Sequence, residues 1–179
     1  IGGDIAPNYF RAGSLVRGQR HFLDKRLPKI IHGMKTKNPD RRVFLMMGND
    51  DCAANLDVLE KEDPSLFRVI HEKRVKLTEE FDIVGYPYVP ITPFSLKDWE
   101  KYDFSKVPND LASDYVRRKI LNYRLYGFKS KLNYFEKFRF SETMEEEDSI
   151  QKDLEKDVFT ANPERTVYVI HTPPNRTHL

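Results

Sequence analysis

Three short stretches of the sequence set a hard or borderline metal ligand directly behind a glycine turn or an apolar run: Gly3-Asp4, Gly48-Asn49-Asp50-Asp51 and Ile170-His171. Asp4 offers a carboxylate, Asn49 an amide oxygen and His171 a neutral imidazole. That mixture suits Mn, Fe or Zn better than a thiolate-seeking ion or the oxygen cage of calcium. A carboxylate can also bridge two cations. Two cations about 3.5–4 Å apart clamp the attacking and leaving oxygens of a phosphoryl transfer and lower the pKa of water toward neutrality, with no need for a protein nucleophile. Each stretch alone is an ordinary turn, because Gly tolerates positive φ and Asn or Asp bonds to its own backbone. Their order and their shared place at strand ends favour the metal reading.

For residues so far apart in sequence to meet, their strands must end along one edge of an open parallel sheet, where ligand crevices form at the carboxyl ends. Val43-Phe44-Leu45-Met46-Met47 is a continuous apolar run between Pro39-Asp40 and Gly48, which predicts a strand buried on both faces. Leu23, Leu27, Ile30, Ile31 and Met34 recur at helical spacing, with Pro28 marking a kink or a late start. Asp51 is placed to cap a following helix carrying Leu56, Val58 and Leu59, with Pro64 at its end. Phe67-Arg68-Val69-Ile70, Arg74-Val75-Lys76-Leu77 and Phe81-Asp82-Ile83-Val84 read as three short strands. The order of strand, helix and strand cluster predicts an α/β layered domain. Between 85 and 108, the prolines and aromatics, Trp99 among them, predict a long ordered loop of the kind that borders sites. Helices are predicted over about 112–125 and 145–158, and a final strand over 167–170.

Composition narrows the function classes. The 179 residues suffice for one substantial core, and 39% apolar with 32% charged residues is the balance of a globular protein. No run is long and apolar enough to span a bilayer. With 30 basic against 28 acidic side chains, the net charge of +2 creates no field that would draw the chain to nucleic acid or acidic lipid. Cys52 is alone, which excludes a disulfide framework and a cysteine zinc site and fits a reducing, cytoplasmic setting. Ile1-Gly2-Gly3-Asp4 at one end, and the stop soon after the 167–170 strand at the other, read as a single domain truncated at both ends.

In this order the motifs resemble those of the calcineurin-like metallophosphoesterases. That family carries an Asp-x-His strand end, a Gly-Asp strand end, a Gly-Asn-His-Asp/Glu strand end, a lone His at a strand end and a final Gly-His-x-His. The sequence is similar to the middle three, from Gly2 to Pro174, and Phe81-Asp82-Ile83-Val84-Gly85 is similar to a further family strand. The resemblance implies a layered β-sandwich flanked by helices, with a loop and helical insertion at about 85–160. It implies Asp4 bridging two divalent cations, Asn49 and His171 as further metal ligands, and hydrolysis of phosphoric mono- or diesters by a metal-activated water. The first and last motifs are absent, so the remaining ligands are expected outside this chain. Asp50 stands where the family usually has the His that protonates the leaving group, and Asp51 matches the acidic position with an orienting role. A carboxylate beside cations stays charged, so Asp50 is a poor general acid, and the substrates expected are those with good leaving groups.

Other features weigh less. Arg11, Arg17 and Arg20 follow the Gly3-Asp4 turn, and Arg11 is the first candidate for substrate phosphate. His21, His32 and His71 read as surface or packed residues, and Trp99 as the anchor of its loop. The bases and tyrosines between 115 and 139 resemble a nucleic-acid surface, but Tyr115, Ile120, Tyr123 and Tyr126 fit equally as core contacts of an amphipathic helix whose cations face water. The acidic run 145–148 is read as a charged helix start. Two rival readings remain: a binding or scaffold module that kept the fold and lost turnover, and a nucleic-acid-binding domain. A phosphatase of the haloacid-dehalogenase type would need an Asp-x-Asp nucleophile, which the sequence lacks.

Overall fold

Leu45, Met46 and Met47 are completely buried, as a strand covered on both faces requires. Their side chains alternate. Leu45 and Met47 join Leu23, Leu27, Ile31, Leu59 and Phe67 in one core, while Met46 meets Ile70 and Ile83 in another. Each such burial contributes about 1.5–3 kcal/mol, so this short strand ties the two cores together. The computed structural model describes residues 1–8 and 14–172 of the chain.

The helical side of the first core comes from α1 (Leu15–His21), a wide π-type turn (Phe22–Arg26) and α2 (Leu27–Lys37). Pro28 sits in the first turn of α2, directly after the π-type turn, where proline is best tolerated. Next come β1 (Phe44–Leu45), α3 (Leu56–Glu60), β2 (Arg68–Val69), β3 (Arg74–Lys76) and β4 (Asp82–Tyr86). They are followed by β5 (Val89–Pro90), β6 (Glu100–Lys101), α4 (Ala112–Asn122), β7 (Tyr126–Ser130) and β8 (Phe135–Arg139). Three short helices, α5 (Glu142–Glu147), α6 (Ile150–Leu154) and α7 (Asp157–Thr160), lead into β9 (Thr166–Ile170).

The architecture is mixed α/β, with small sheets. β1 pairs in parallel with β2, and β4 stands between antiparallel β3 and parallel β9. Two single parallel bridges join these pieces, Gly2 to Met46 and His71 to Gly85. Through them the segments ending at Gly2, Met46, His71, Tyr86 and Ile170 point the same way, so their carboxyl ends share one edge.

Three expectations are corrected. The helix expected over 145–158 is three helices, because buried Ser149 breaks the run: its backbone bridges Tyr102, and its hydroxyl accepts the Lys152 N–H to start α6. The helix expected over about 112–125 ends at Asn122, and the chain continues as the β7–β8 hairpin, where Phe128, Phe135 and Phe138 supply aromatic strand formers. Asp51 does not cap a helix; the following helical turn starts at Ala53 with no side-chain cap. Within the loop expected over 85–108, β5 and β6 pair in parallel and Trp99 is buried as its anchor. No helix among the described residues is long and apolar enough to cross a membrane.

His71 is buried at 4% exposure, with its Nδ1 accepting the Met47 N–H at 3.3 Å and its ring edge-on to Trp99 at 4.3 Å. Burial lowers its pKa from 6.5 to about 4. Because the folded value lies below the unfolded one, this group's contribution is complete above pH 6.5 and is lost as pH falls toward 4. We expect denaturant titrations to lose on the order of 3 kcal/mol over that window from this group. His71→Gln, which keeps an acceptor for Met47, should remove that part of the pH slope; an unchanged slope would refute the assignment.

Candidate functional site

The site begins with a buried carboxylate that binds backbone. Asp51 is 1% exposed. Its Oδ2 accepts the N–H groups of Gly48 at 2.9 Å and Ile5 at 3.0 Å, and its Oδ1 accepts that of Ala6 at 2.8 Å. This one side chain clamps the loop after Gly3-Asp4 to the turn after β1. Burial pushes the Asp51 carboxyl above its usual range, against the pull of those three donors. From the other side, the Trp99 indole N–H donates to the Asp51 carbonyl at 2.8 Å. Gln19 braces the same turn: its amide donates to the Asp50 carbonyl and accepts the Cys52 N–H, both at 2.8 Å.

The clamp brings two glycines against the end of β9. Gly3 has φ +106°, and a Cβ there would lie 2.4 Å from His171 Nδ1. A Cβ on Gly48 would lie 2.5 Å from both the backbone N and the Oδ1 of Asp4. Only glycine leaves room for the three strand ends to close up. Asp4 itself adopts φ 50°, a left-handed conformation that short polar side chains tolerate best.

Asp4, Asn49 and His171 meet at this point. The His171 Nδ1 lies 2.8 Å from the Gly2 carbonyl, which can only accept, so Nδ1 carries a proton. Nε2 then faces Asn49 Oδ1 at 2.9 Å and Asp4 Oδ1 at 3.4 Å. The Asp4 carboxylate beside it raises the His171 pKa, and contact with His171 holds the Asp4 carboxyl below its usual range. A divalent cation among Asp4, Asn49 and a neutral His171 would find three ligand atoms. Carboxylate, amide oxygen and imidazole therefore fit Mn, Fe or Zn. Among the described residues no three His, Cys, Asp or Glu side chains gather as a metal cage; the third donor here is the Asn49 amide.

Asp50 lies at the margin, with its N–H donating to Asp4 Oδ1 at 3.0 Å and its carboxylate accepting Asn8 Nδ2 at 2.5 Å. No family model, curated protein or solved structure matches this chain. The site is therefore judged on its own geometry.

Arg11 lies outside the described residues. Arg20 is not aimed at the site: its guanidinium forms a two-pronged pair with Asp57 at 2.8 and 2.9 Å. Arg17, His21 and His32 are exposed. Cys52 is buried, and its thiol pKa is pushed up to about 12, so it is inert. Lys119 and Tyr115 both bind Glu145, and Lys131 pairs with Glu136, so these members of the 115–139 series are engaged within the protein. Sequence reading missed Gln19, whose two hydrogen bonds to the site turn leave no local pattern.

We expect Asp51→Asn to cost about 1–3 kcal/mol in denaturant unfolding, since an amide cannot accept on both sides. Gly48→Ala should cost a similar about 1–3 kcal/mol through overpacking and should also abolish Mn²⁺ binding in calorimetry. Wild-type Mn²⁺ affinity in Gly48→Ala would contradict the geometry.

Proposed function

We propose that the protein is a metal-dependent hydrolase of phosphoric esters, of the calcineurin-like metallophosphoesterase type, working with two divalent cations drawn from Mn, Fe or Zn. The reading rests on one observation, the convergence of Asp4 and Asn49 on His171 Nε2 within 3.4 Å and 2.9 Å. On this reading the small sheets are parts of a layered β-sandwich flanked by helices, and the protein works in the cytoplasm, a setting with which the lone thiol is compatible. When bound, the cations supply the charge that stabilises the phosphoryl oxygens and the acidity that activates water.

The chain's own residues hold and orient. Asp4, Asn49 and His171 would hold the cations, Asp4 through its carboxylate, Asn49 through its amide oxygen and His171 through Nε2. The Gly2 carbonyl fixes the His171 tautomer, so that Nε2 faces the site. The Asp50 N–H orients Asp4, and the Asp51 carboxylate keeps both loops in register. Asp50 itself, bound to Asn8 through its carboxylate, is badly suited to give a proton to a departing alcohol. That same feature favours one second reading, a metal-binding scaffold that does not turn over.

The test supplies Mn²⁺ to the intact protein and measures hydrolysis of aryl phosphate mono- and diesters whose leaving groups span a range of pKa. We expect turnover that falls steeply as the leaving group worsens, and losses of at least about 100-fold in Asp4→Ala, Asn49→Ala and His171→Ala without loss of fold. Bound metal with no turnover supports the scaffold instead. No bound metal at micromolar supply defeats both readings.

A further inference from the structure

A groove of about 410 Å³ opens beside the converging donors, with Asn49 and His171 in its wall. Its remaining lining comes from the 89–94 segment, from Tyr123 at the end of α4, and from Thr172. Among the described residues no Asp, Glu, Lys or Arg side chain lines it. Three of the polar residues there have turned their polar atoms into the protein. The Thr92 hydroxyl binds Glu100, the Thr172 hydroxyl donates to the Tyr88 carbonyl at 3.0 Å, and the Tyr123 hydroxyl donates to Asp103 at 3.0 Å. Apart from Asn49 and His171, the described lining offers the groove mainly apolar surface. Phe94, at its rim, is 59% exposed and offers an aromatic face to a ligand.

The wall is built to keep this character. Glu100 takes both the hydroxyl and the N–H of Thr92, and Lys97, completely buried with it, pairs with Glu100 at 2.7 Å and donates to the Thr92 carbonyl at 2.8 Å. A buried ion pair thus fixes the backbone that presents Ile91, Pro93 and Phe94. Such a rigid wall suits a ligand of defined shape, and its volume lies in the range of small-molecule pockets.

We propose that the groove binds the alcohol portion of the substrate and that this portion is an uncharged aromatic ring system. The proposal rests on the phosphoric ester reading above, since it places the phosphoryl group at Asp4, Asn49 and His171. It also accounts for Asp50. Hydrolysis joins the oxygen of water to phosphorus, breaks the bond from phosphorus to the ester oxygen and returns a proton to the alcohol. An aromatic alcohol leaves as a stabilised phenolate and takes its proton from solvent afterwards, so the step needs no acid at position 50. An aliphatic or sugar alcohol would need one, and a charged or strongly hydrated group would be desolvated without a partner in the groove.

The test compares kcat/KM of the Mn²⁺-loaded intact protein for 1-naphthyl phosphate, octyl phosphate and glycerol 2-phosphate, in the wild type, Phe94→Ala and Phe94→Trp. The expected result is preference for the naphthyl ester by at least about ten-fold. The naphthyl-to-glycerol ratio should fall about 2- to 10-fold in Phe94→Ala and recover in Phe94→Trp. Preference for the octyl or glycerol ester, or a ratio indifferent to Phe94, overturns the proposal. Binding of 1-naphthol, followed by its fluorescence without metal, separates the two ideas. If no ester is hydrolysed but 1-naphthol binds and Phe94→Ala weakens it, the hydrolase reading fails and the aromatic groove stands. If 1-naphthol does not bind, the groove proposal fails whatever the rates.

Discussion

The Asp51 carboxylate holds together the two loops that follow the bridged Gly2 and Met46 segments. A charged acceptor taken out of water must find donors, and the donors it finds are the backbone N–H groups of Ile5, Ala6 and Gly48. Those donors belong to two loops at the ends of two neighbouring segments, so satisfying one side chain aligns both loops. Everything at the site follows from this alignment. Asp4 is delivered beside His171, the Asp50 N–H reaches Asp4, and Gly3 and Gly48 are pressed close enough that no Cβ could be admitted.

The clamp is also the hinge point between the site and its groove. The Asp51 carbonyl accepts the Trp99 indole, and Trp99 packs edge-on with both Tyr88 and His71. The strand residues Val89 and Pro90 follow Tyr88 directly and pair with Glu100 and Lys101. The polar donors and the apolar wall are thus linked through one aromatic contact chain and a few hydrogen bonds, most of them buried. The buried Lys97–Glu100 pair continues the same logic outward: charges that would be costly alone are mutually satisfied, and together they specify a loop conformation that apolar packing would leave loose.

Much of this was legible in the sequence, and for a physical reason. A strand covered on both faces must be continuously apolar, so 43–47 announced its own burial. Glycine and Asx residues at strand ends are restricted to turns, so Gly3-Asp4 and Gly48-Asn49 stood out. Trp99 among prolines marked an anchored loop. Other features left misleading signals. Asp51 carries the signature of a helix cap, yet two of its three donors, Ile5 and Ala6, come from a loop remote in sequence. The bases and tyrosines of 115–139 match a helical period as far as Asn122, but the aromatic β-formers beyond it pair across a hairpin whose partner lies only a few residues on. Ser149 breaks a strong helical pattern because Tyr102, also remote in sequence, bridges its backbone.

What the amino-acid sequence determined by itself is local: which residues can bear a metal, where turns must fall, which run is buried on both faces, and that an Asp rather than a His stands at position 50. Local sterics, hydrogen-bonding capacity and hydrophobic period are properties of neighbouring residues, so they survive without a fold. The tertiary structure decided the rest. It set which donors share a point in space, that Arg20 is occupied by Asp57, that Asp51 binds backbone, and that the groove's threonines and tyrosine turn their hydroxyls inward. Each of these depends on groups brought together from distant parts of the chain, and such contacts exist only after packing has chosen among the partners that the sequence leaves equally available.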